Sequence, residues 1–326
     1  MKAWLVHELG DPSEALRLDE VPVPSAERGQ AVIEVEAAAA NFFDILLCQG
    51  KYQERPPLPF TPGAEVACTV TAVGDGVKLS VGQRVVAMPQ LPHGGFCEFV
   101  TVPEQIVFPI PDELPFTSAA GMFITYQTAY YALHYCAKLQ PGEVLLVHAG
   151  AGGVGSAAIQ LGKAAGARVI ATAGGEEKVQ VCRDLGADVA IDYTVENFVD
   201  IVKAETGKRG ADVIFDPVGG DVFDQSRKCI SFGGRLLVIG FAGGRIADIP
   251  TNHILLKNYA VVGVHWGLFS KLVPNGVRAI HDELMKLYQT GEIDPLIYTQ
   301  APLEQLPQTL SQIATRKTWG KVVLCP

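Results

Sequence analysis

The 326-residue chain is expected to fold as an α/β protein of two domains, one a compact β-barrel-like domain and the other a doubly wound parallel sheet. Three observations carry this expectation. From about Thr117 onward, apolar strand candidates alternate with helical stretches, at 144–149, 168–173, 188–192, 212–216, 235–240 and 260–264. Such alternation implies right-handed βαβ units and a parallel sheet covered on both faces. A glycine-rich turn joins the first of these strands to its helix. Before Thr117 the chain reads differently, as short strands with turn signals, and the prolines between Pro56 and Pro111 leave no room for long helices.

In chain order, strands are expected at 31–37, 65–73 and 83–87, with turns at Gly74-Asp-Gly76 and Gly82. A short helix at 44–49 starts near Asn41 and stops at Gly50, a residue suited to a left-handed cap. The six alternating strands suit a Rossmann sheet. Beyond Gly267 come a helix at 275–290, a Pro/Leu-rich return and a last strand at 321–324. That tail is expected to rejoin the first domain, which then comprises 1–118 and 267–326 around a second domain at 119–266.

The turn is the most specific feature. It reads Gly150-Ala-Gly152-Gly153-Val154-Gly155, and its glycines at 150, 152 and 155 have the GxGxxG spacing. The first glycine allows the tight turn, the second lets the backbone approach a pyrophosphate, and the third lets helix and strand pack closely. The helix N-terminus offers free N–H groups and a favourable dipole to the phosphates. With a strand before it, a helix after it and a second strand in place, the motif reads as a dinucleotide site.

Composition narrows the function classes. The chain is 48% hydrophobic and 19% charged, ordinary for a globular protein. A net charge of −9 disfavours a nucleic-acid or anionic-membrane surface as main partner. No apolar run approaches a membrane span, and the N-terminal apolar patch is too short for a signal peptide, so a cytoplasmic location is expected. Seven cysteines without a CxxC pair argue against a disulfide framework or zinc finger.

Together the segments Asn41-Phe-Phe-Asp44, Gln49-Gly-Lys-Tyr52, Pro62-Gly-Ala-Glu65, His148 to Gly155, Leu185-Gly-Ala-Asp188, Phe215 to Gly220 and Gly320-Lys-Val-Val323 resemble the zinc-independent quinone oxidoreductases (zeta-crystallin-like) of the medium-chain dehydrogenase/reductase superfamily. The resemblance spans nearly the whole chain. It implies a GroES-like β-barrel catalytic domain, a Rossmann domain, NADPH in the cleft between them and, commonly, a homodimer. Zinc-dependent relatives carry a cysteine and a histidine where this chain has Asn41 and Ala64, and the segment 121–128 offers no third ligand. Amide and methyl groups do not replace thiolate and imidazole, so no metal is expected.

Cofactor choice rests on the end of the second strand. An NAD site usually holds a carboxylate there, whereas this strand ends Thr172-Ala-Gly174-Gly175 and leaves room for a 2′-phosphate. Lys178 in the next turn can supply charge, and the resemblance adds Tyr193; a solvated lysine neutralised by Glu176 and Glu177 is the alternative. NADPH is therefore expected. The resemblance also assigns Asn41, Thr128, Val218, Gly240, Phe241, His265 and Trp266 to the cofactor, with Arg316 as a further phosphate candidate. Asn41 has a competing role as a helix cap with Asp44 three residues on, His265 as a structural histidine, and Trp266 as core or interface.

For chemistry, hydride transfer needs an electrophilic carbon held in line with the dihydronicotinamide. Tyr52 is the candidate proton donor, with a pocket wall as its other reading, and Asn41 is the second polar group expected to face the acceptor. A quinone is the first substrate expectation. Enones, 2-alkenals or enoyl thioesters are the nearby alternative, and a non-catalytic NADPH-binding, crystallin-like protein is the alternative of a different class.

Overall fold

The structure is a computed structural model that describes residues 1–326, residue 274 through its backbone alone. The chain forms two compact units, residues 1–124 with 295–326 and residues 125–294.

The first unit is built on seven N-terminal strands: β1 (Lys2–Val6), β2 (Leu16–Glu20), β3 (Gln30–Ala40), β4 (Val66–Val73), β5 (Arg84–Ala87), β6 (Phe99–Pro103) and β7 (Val107–Pro109). β1 and β2 form a ribbon, while β3 is the spine of the larger sheet. One edge of β3 pairs antiparallel with β4, with register shifts after Val32 and Val35. β3 runs three residues past its expected end because Ala38, Ala39 and Ala40 are almost fully buried. Alanine has little intrinsic strand preference, so burial and pairing set that end. The helix Phe42–Cys48 follows directly, with Asn41 at its N-cap, where its sequence suggested the start.

The second unit holds β8 (Val144–Val147), β9 (Arg168–Ala173), β10 (Val189–Asp192), β11 (Ala211–Asp216), β12 (Ile230–Val238) and β13 (Ala260–Gly263). They form one parallel sheet in the order β10-β9-β8-β11-β12-β13, the doubly wound Rossmann order. The helix Gly153–Ala164 lies on it through small residues. A Cβ on Gly162 would meet Leu145 Cδ2 at 2.6 Å, so this close helix–strand approach depends on glycine. Val144, Leu146, Ile170, Ile214 and Leu236 anchor one core layer of the sheet.

The chain then returns. β14 (Ile297–Pro302) pairs parallel with β15 (Lys321–Cys325), and β15 pairs antiparallel with Ala38–Ala40 of β3, next to the stretch of the same edge that pairs with β6. The final strand therefore does sit in the first sheet. The expected boundaries at 118 and 267 differ from the observed ones. Residues 267–294 belong with the second unit, where Tyr131 stacks on Phe269 at 4.2 Å, Gln127 Nε2 donates to Val277 O at 3.0 Å and Gln160 Nε2 donates to Asp294 O at 2.7 Å. Among the described residues, no helix is long and apolar enough to cross a membrane.

Candidate functional site

The six parallel strands deliver the expected residues to one end of the sheet. The glycine turn follows β8, Gly174 follows β9, Tyr193 follows β10, Val218 follows β11, Gly240 and Phe241 follow β12, and His265 and Trp266 follow β13. All lie at the carboxyl ends of the strands, where ligands bind in open α/β sheets.

Within the turn, the three glycines have different roles. A Cβ on Gly155 would meet Ala149 O at 2.1 Å, and one on Gly150 would meet Cys182 Sγ at 2.8 Å and Ala171 Cβ at 3.0 Å. Both positions are closed to any side chain. Gly152, the N-cap of the helix, has only Ala149 O within reach, at 3.2 Å, so its other side is open to a ligand. Gly153 and Val154 form the first helical turn and are half-buried. One detail departs from the sequence reading: the left-handed residue that makes the turn tight is Ala149, at φ 50°, and not Gly150. A hydrogen bond from Gly152 N to Ala149 O at 2.9 Å closes it.

His148 locks this turn from below. Its Nδ1 lies 3.0 Å from Thr172 Oγ1 and its Nε2 2.8 Å from Ser226 Oγ, tying β8 to β9 and to the helix Gly220–Ser226. Complete burial pushes its imidazole down to about 3, so it is neutral. Sequence reading quoted His148 but gave it no role; a histidine inside an apolar strand is the signal it passed over.

At the tip of β9, two expected residues meet. A Cβ on Gly174 would lie 2.7 Å from the Tyr193 hydroxyl, so the phenol covers the space above Gly174. Gly175 follows at φ 84° and caps the helix Glu176–Asp184, which carries half-buried Lys178 in its first turn. Asp192 Oδ1 accepts from Gly175 N at 3.0 Å and from Thr194 N at 3.0 Å. The Thr194 hydroxyl and these amides hold its carboxyl below its ordinary range. Its Oδ1 thus ties the turn after β10 to the backbone that follows β9.

Along the rest of that end, Asp216 Oδ1 accepts from Val218 N at 2.8 Å and Gly219 N at 2.9 Å, and burial raises its pKa. Phe241 is 41% exposed and lies against Gly219, where a Cβ would meet its ring at 3.1 Å. His265 is exposed, and its Nδ1 accepts from Leu268 N at 2.9 Å, capping the helix Trp266–Leu272. Trp266 is buried in the same helix. His265 therefore caps a helix, and Trp266 packs in the interior. Thr128 is half-buried on the helix Phe116–Tyr130. Arg316, at φ 56°, lies in the first unit, beyond the helix Leu306–Ala314.

The first unit carries a second cluster, around Asn41. Lys321 on β15 donates from Nζ to Ala40 O at 2.9 Å, Asn41 Oδ1 at 2.6 Å and Glu65 Oε1 at 2.7 Å. Asn41 Nδ2 donates to Glu65 Oε1 at 2.8 Å and to Ala39 O at 3.3 Å. Glu65 Oε2 accepts from Ile124 N at 2.6 Å. Asp44 Oδ2 accepts from Asn41 N at 2.8 Å, the capping arrangement read from sequence. Glu65 and Lys321 are buried, and burial lifts the Asp44 carboxyl to about 7 against the opposing hydrogen bond from Asn41 N and the charge of Lys321. Neither Glu65 nor Lys321 was singled out from sequence, though a lysine in the apolar run Lys321-Val-Val-Leu324 was a legible signal.

Tyr52 lies just beyond this cluster. Its ring stacks on Phe43, with centroids 5.4 Å apart and 28° between planes, and packs partly against the core. Burial, with Glu54 and Asp44 nearby, raises its pKa, so the phenol keeps its proton at neutral pH. Among the described residues, no three His, Cys, Asp or Glu side chains are grouped as a metal ion needs.

Comparison with known proteins agrees with this architecture. The family model described as "Alcohol dehydrogenase GroES-like domain" matches residues 27–112, and the one described as "Zinc-binding dehydrogenase" matches residues 153–282. A GroES-like unit whose sequence encloses a Rossmann unit defines the medium-chain dehydrogenases/reductases. The quinone oxidoreductase-like protein 2 homolog of Nematostella vectensis is 40% identical over 326 residues, covering 99% of this chain and 88% of that protein. Quinone oxidoreductase of Escherichia coli, solved in complex with NADPH, superposes with a TM-score of 0.92 at 28% identity, covering all of both chains. A mycobacterial protein solved as its NADPH complex gives 0.92 at 32%, again over both whole chains. This chain belongs to the zinc-independent quinone oxidoreductase family of that superfamily.

Proposed function

We propose that the protein is an NADPH-dependent, metal-free quinone reductase. The observation that carries this reading is the β9 tip. Gly174 lies there under the Tyr193 phenol, with Lys178 one turn on and Asp192 Oδ1 engaged by Gly175 N, a setting that favours a 2′-phosphate over a free ribose hydroxyl. The open side of Gly152 and the free N–H groups of the helix it caps suit a pyrophosphate.

When bound, the dihydronicotinamide supplies a hydride equivalent, and one further proton converts a quinone to its hydroquinone. The chain's own part is to bind and orient, and to hold a proton. Tyr52 is the group suited to hold it. The quinone oxidoreductase relatives and the two NADPH-complexed structures support the cofactor and the acceptor class. A reductase of enones is the second reading, favoured by the neutral, half-buried Tyr52 phenol, because an enolate needs a proton to finish the reaction. A cytoplasmic homodimer accompanies the proposal, with β13 at the outer edge of its sheet offering a strand for pairing between copies.

The test is turnover of NADPH and NADH against 1,4-naphthoquinone, 9,10-phenanthrenequinone, a 2-alkenal and crotonyl-CoA. NADPH oxidation fastest with the quinones is the expected result. No turnover with any acceptor, despite NADPH binding, would leave a non-catalytic binding protein.

A further inference from the structure

The parallel sheet has a second end, opposite the glycine turn, and cations gather there. The loop 206–210 runs into β11, Lys228 and Cys229 run into β12, and the helix Thr251–Lys257 leads to β13, so all three stand at the amino ends of the strands. Between them lies an open hollow of about 350 Å³, within the range of small-molecule sites. Lys203, Lys208, Arg209, Lys228 and Lys257 line it, and none of its ten lining residues is acidic. Lys and Arg make up only 26 of the 326 residues and are outnumbered by 35 acids, so chain composition does not account for five cations in one hollow. Helix dipoles account for Lys203 and Lys257, which stand in the last turns of the helices Phe198–Glu205 and Thr251–Lys257. They do not account for Lys208 and Arg209, which lie in the loop beyond.

Local contacts hold the cations together. Gly210, at φ 92°, lies so close to the start of β12 that a Cβ there would meet Cys229 O at 2.5 Å. Gly210 N donates to Thr206 Oγ1 at 2.9 Å, and Lys208, left-handed at φ 67°, donates from N to Lys203 O at 2.6 Å. The loop is thereby pressed against the segment 228–230. On the other wall Lys257 Nζ donates to Arg227 O at 3.0 Å and to Lys228 O at 3.3 Å, which leaves it one N–H for a ligand. Burial and the charge of Lys203 lower the Lys257 pKa, and no carboxylate acts on it to offset them. Asp212 partners Arg209, but among the described residues no carboxylate stands within ion-pair distance of Lys203, Lys208, Lys228 or Lys257. Like charges held together without a counter-charge attract an anion.

We propose that this hollow is a second ligand site, remote from the glycine turn, that takes an oligophosphate across Lys203, Lys208, Arg209, Lys228 and Lys257. A lone phosphate neutralises a minority of five cations, and a triphosphate most of them. Phe232 also lines the hollow and is 77% exposed, so an organic group attached to the phosphates finds an apolar surface beside them.

Calorimetric titration of the full chain with sodium triphosphate, and separately with ATP, tests this. Both are expected to bind with Kd of about 0.1 mM or tighter in about 0.05 M salt, and severalfold more weakly in about 0.2 M salt, because exposed charges are screened. Equal affinities would assign the site to inorganic phosphate chains, and tighter binding of ATP would assign it to a phosphorylated organic molecule. The pair Lys203→Gln with Lys208→Asn removes two charges, and asparagine tolerates the left-handed backbone at 208. That pair should keep the wild-type melting temperature and bind both probes about tenfold more weakly or worse. Two cations removed elsewhere, Lys2→Gln with Arg17→Gln, should leave affinity within about twofold of wild type. Retained affinity in the first pair would overturn the proposal, because phosphate held at the glycine turn survives that change. Equal losses in the two pairs would overturn it too, since they report net charge alone, as would a wild type that binds neither probe. If the first pair does not fold, Lys228→Gln, at an exposed side chain, gives the same reading singly.

Discussion

The Tyr193 hydroxyl lies 2.7 Å from where a Cβ on Gly174 would stand. Tyr193 is 49% exposed, so its ring can swing away at little cost to the fold. Gly174→Ala is therefore expected to leave the melting temperature within a few degrees of wild type while displacing the phenol from the β9 tip. NADPH affinity should fall about tenfold, in line with loss of one polar contact. An unchanged affinity in a titration would remove Tyr193 from the cofactor site.

Lys178 should separate the two nicotinamide cofactors. Lys178→Ala is expected to raise the NADPH Michaelis constant by roughly 10-fold or more, the worth of one charge-assisted contact, and to leave NADH use nearly untouched. Equal effects on both cofactors, or a wild type that prefers NADH, would sink the 2′-phosphate assignment.

Tyr52→Phe tests the proton. Turnover should drop by about 10²-fold with an enone, the scale of general-acid catalysis, and less with a quinone, whose reduced form is a stable anion. NADPH binding should not change. The raised pKa of Tyr52 means that the donating form is present below its ordinary titration range, so its contribution to turnover should be level from pH 7 to about 9. Stopped-flow traces with both acceptor classes decide the matter, and a loss confined to quinones contradicts it.

Two buried groups give opposite pH dependences of stability. Asp44 binds its proton more tightly when folded, near 7 against 3.8. Its contribution is full below the unfolded value and is lost as pH rises through 7. His148, near 3 against 6.5, contributes fully above 6.5 and loses that contribution as pH falls toward 3. Between about pH 4 and 6.5 the two slopes oppose one another, each at up to ~1.4 kcal/mol per pH unit. Asp44→Asn removes one of them. Relative to wild type, its unfolding free energy should rise with pH across that window. A parallel shift without a change of slope would show that Asp44 does not titrate there.

Treatment with a metal chelator should leave turnover unchanged, because Asn41 and Ala64 stand at the positions where zinc-dependent relatives bind metal. Stoichiometric zinc that departs together with activity would refute this.

Local pattern carried most of the Rossmann unit. β9 falls at the expected residues, and the other strand ends shift by at most five residues, since each strand is an apolar run bounded by turn residues. The glycine turn was legible in spacing but not in torsion, because the left-handed residue is an alanine that only neighbouring contacts hold in place. The Asn41 cluster was the least legible part. Glu65 and Lys321 are 256 residues apart, and nothing local in either segment announces the partner. Likewise the unit boundary near 294 follows from side-chain contacts of Gln127, Gln160 and Tyr131, which no periodicity encodes.

The order in which residues leave a ribosome gives the nested arrangement of the units a consequence. Residues 125–294 form a continuous segment, complete in itself while 295–326 are still unmade. Until Lys321 emerges, Glu65 has no cation, and Ala38–Ala40 of β3 have no partner on the β15 side. Vectorial synthesis therefore leaves the outer unit waiting for its last strand, its sheet edge open. A chain ending a few residues short of Lys321 would hold the whole inner segment but leave the outer sheet unfinished, which makes those last residues a checkpoint for the outer unit.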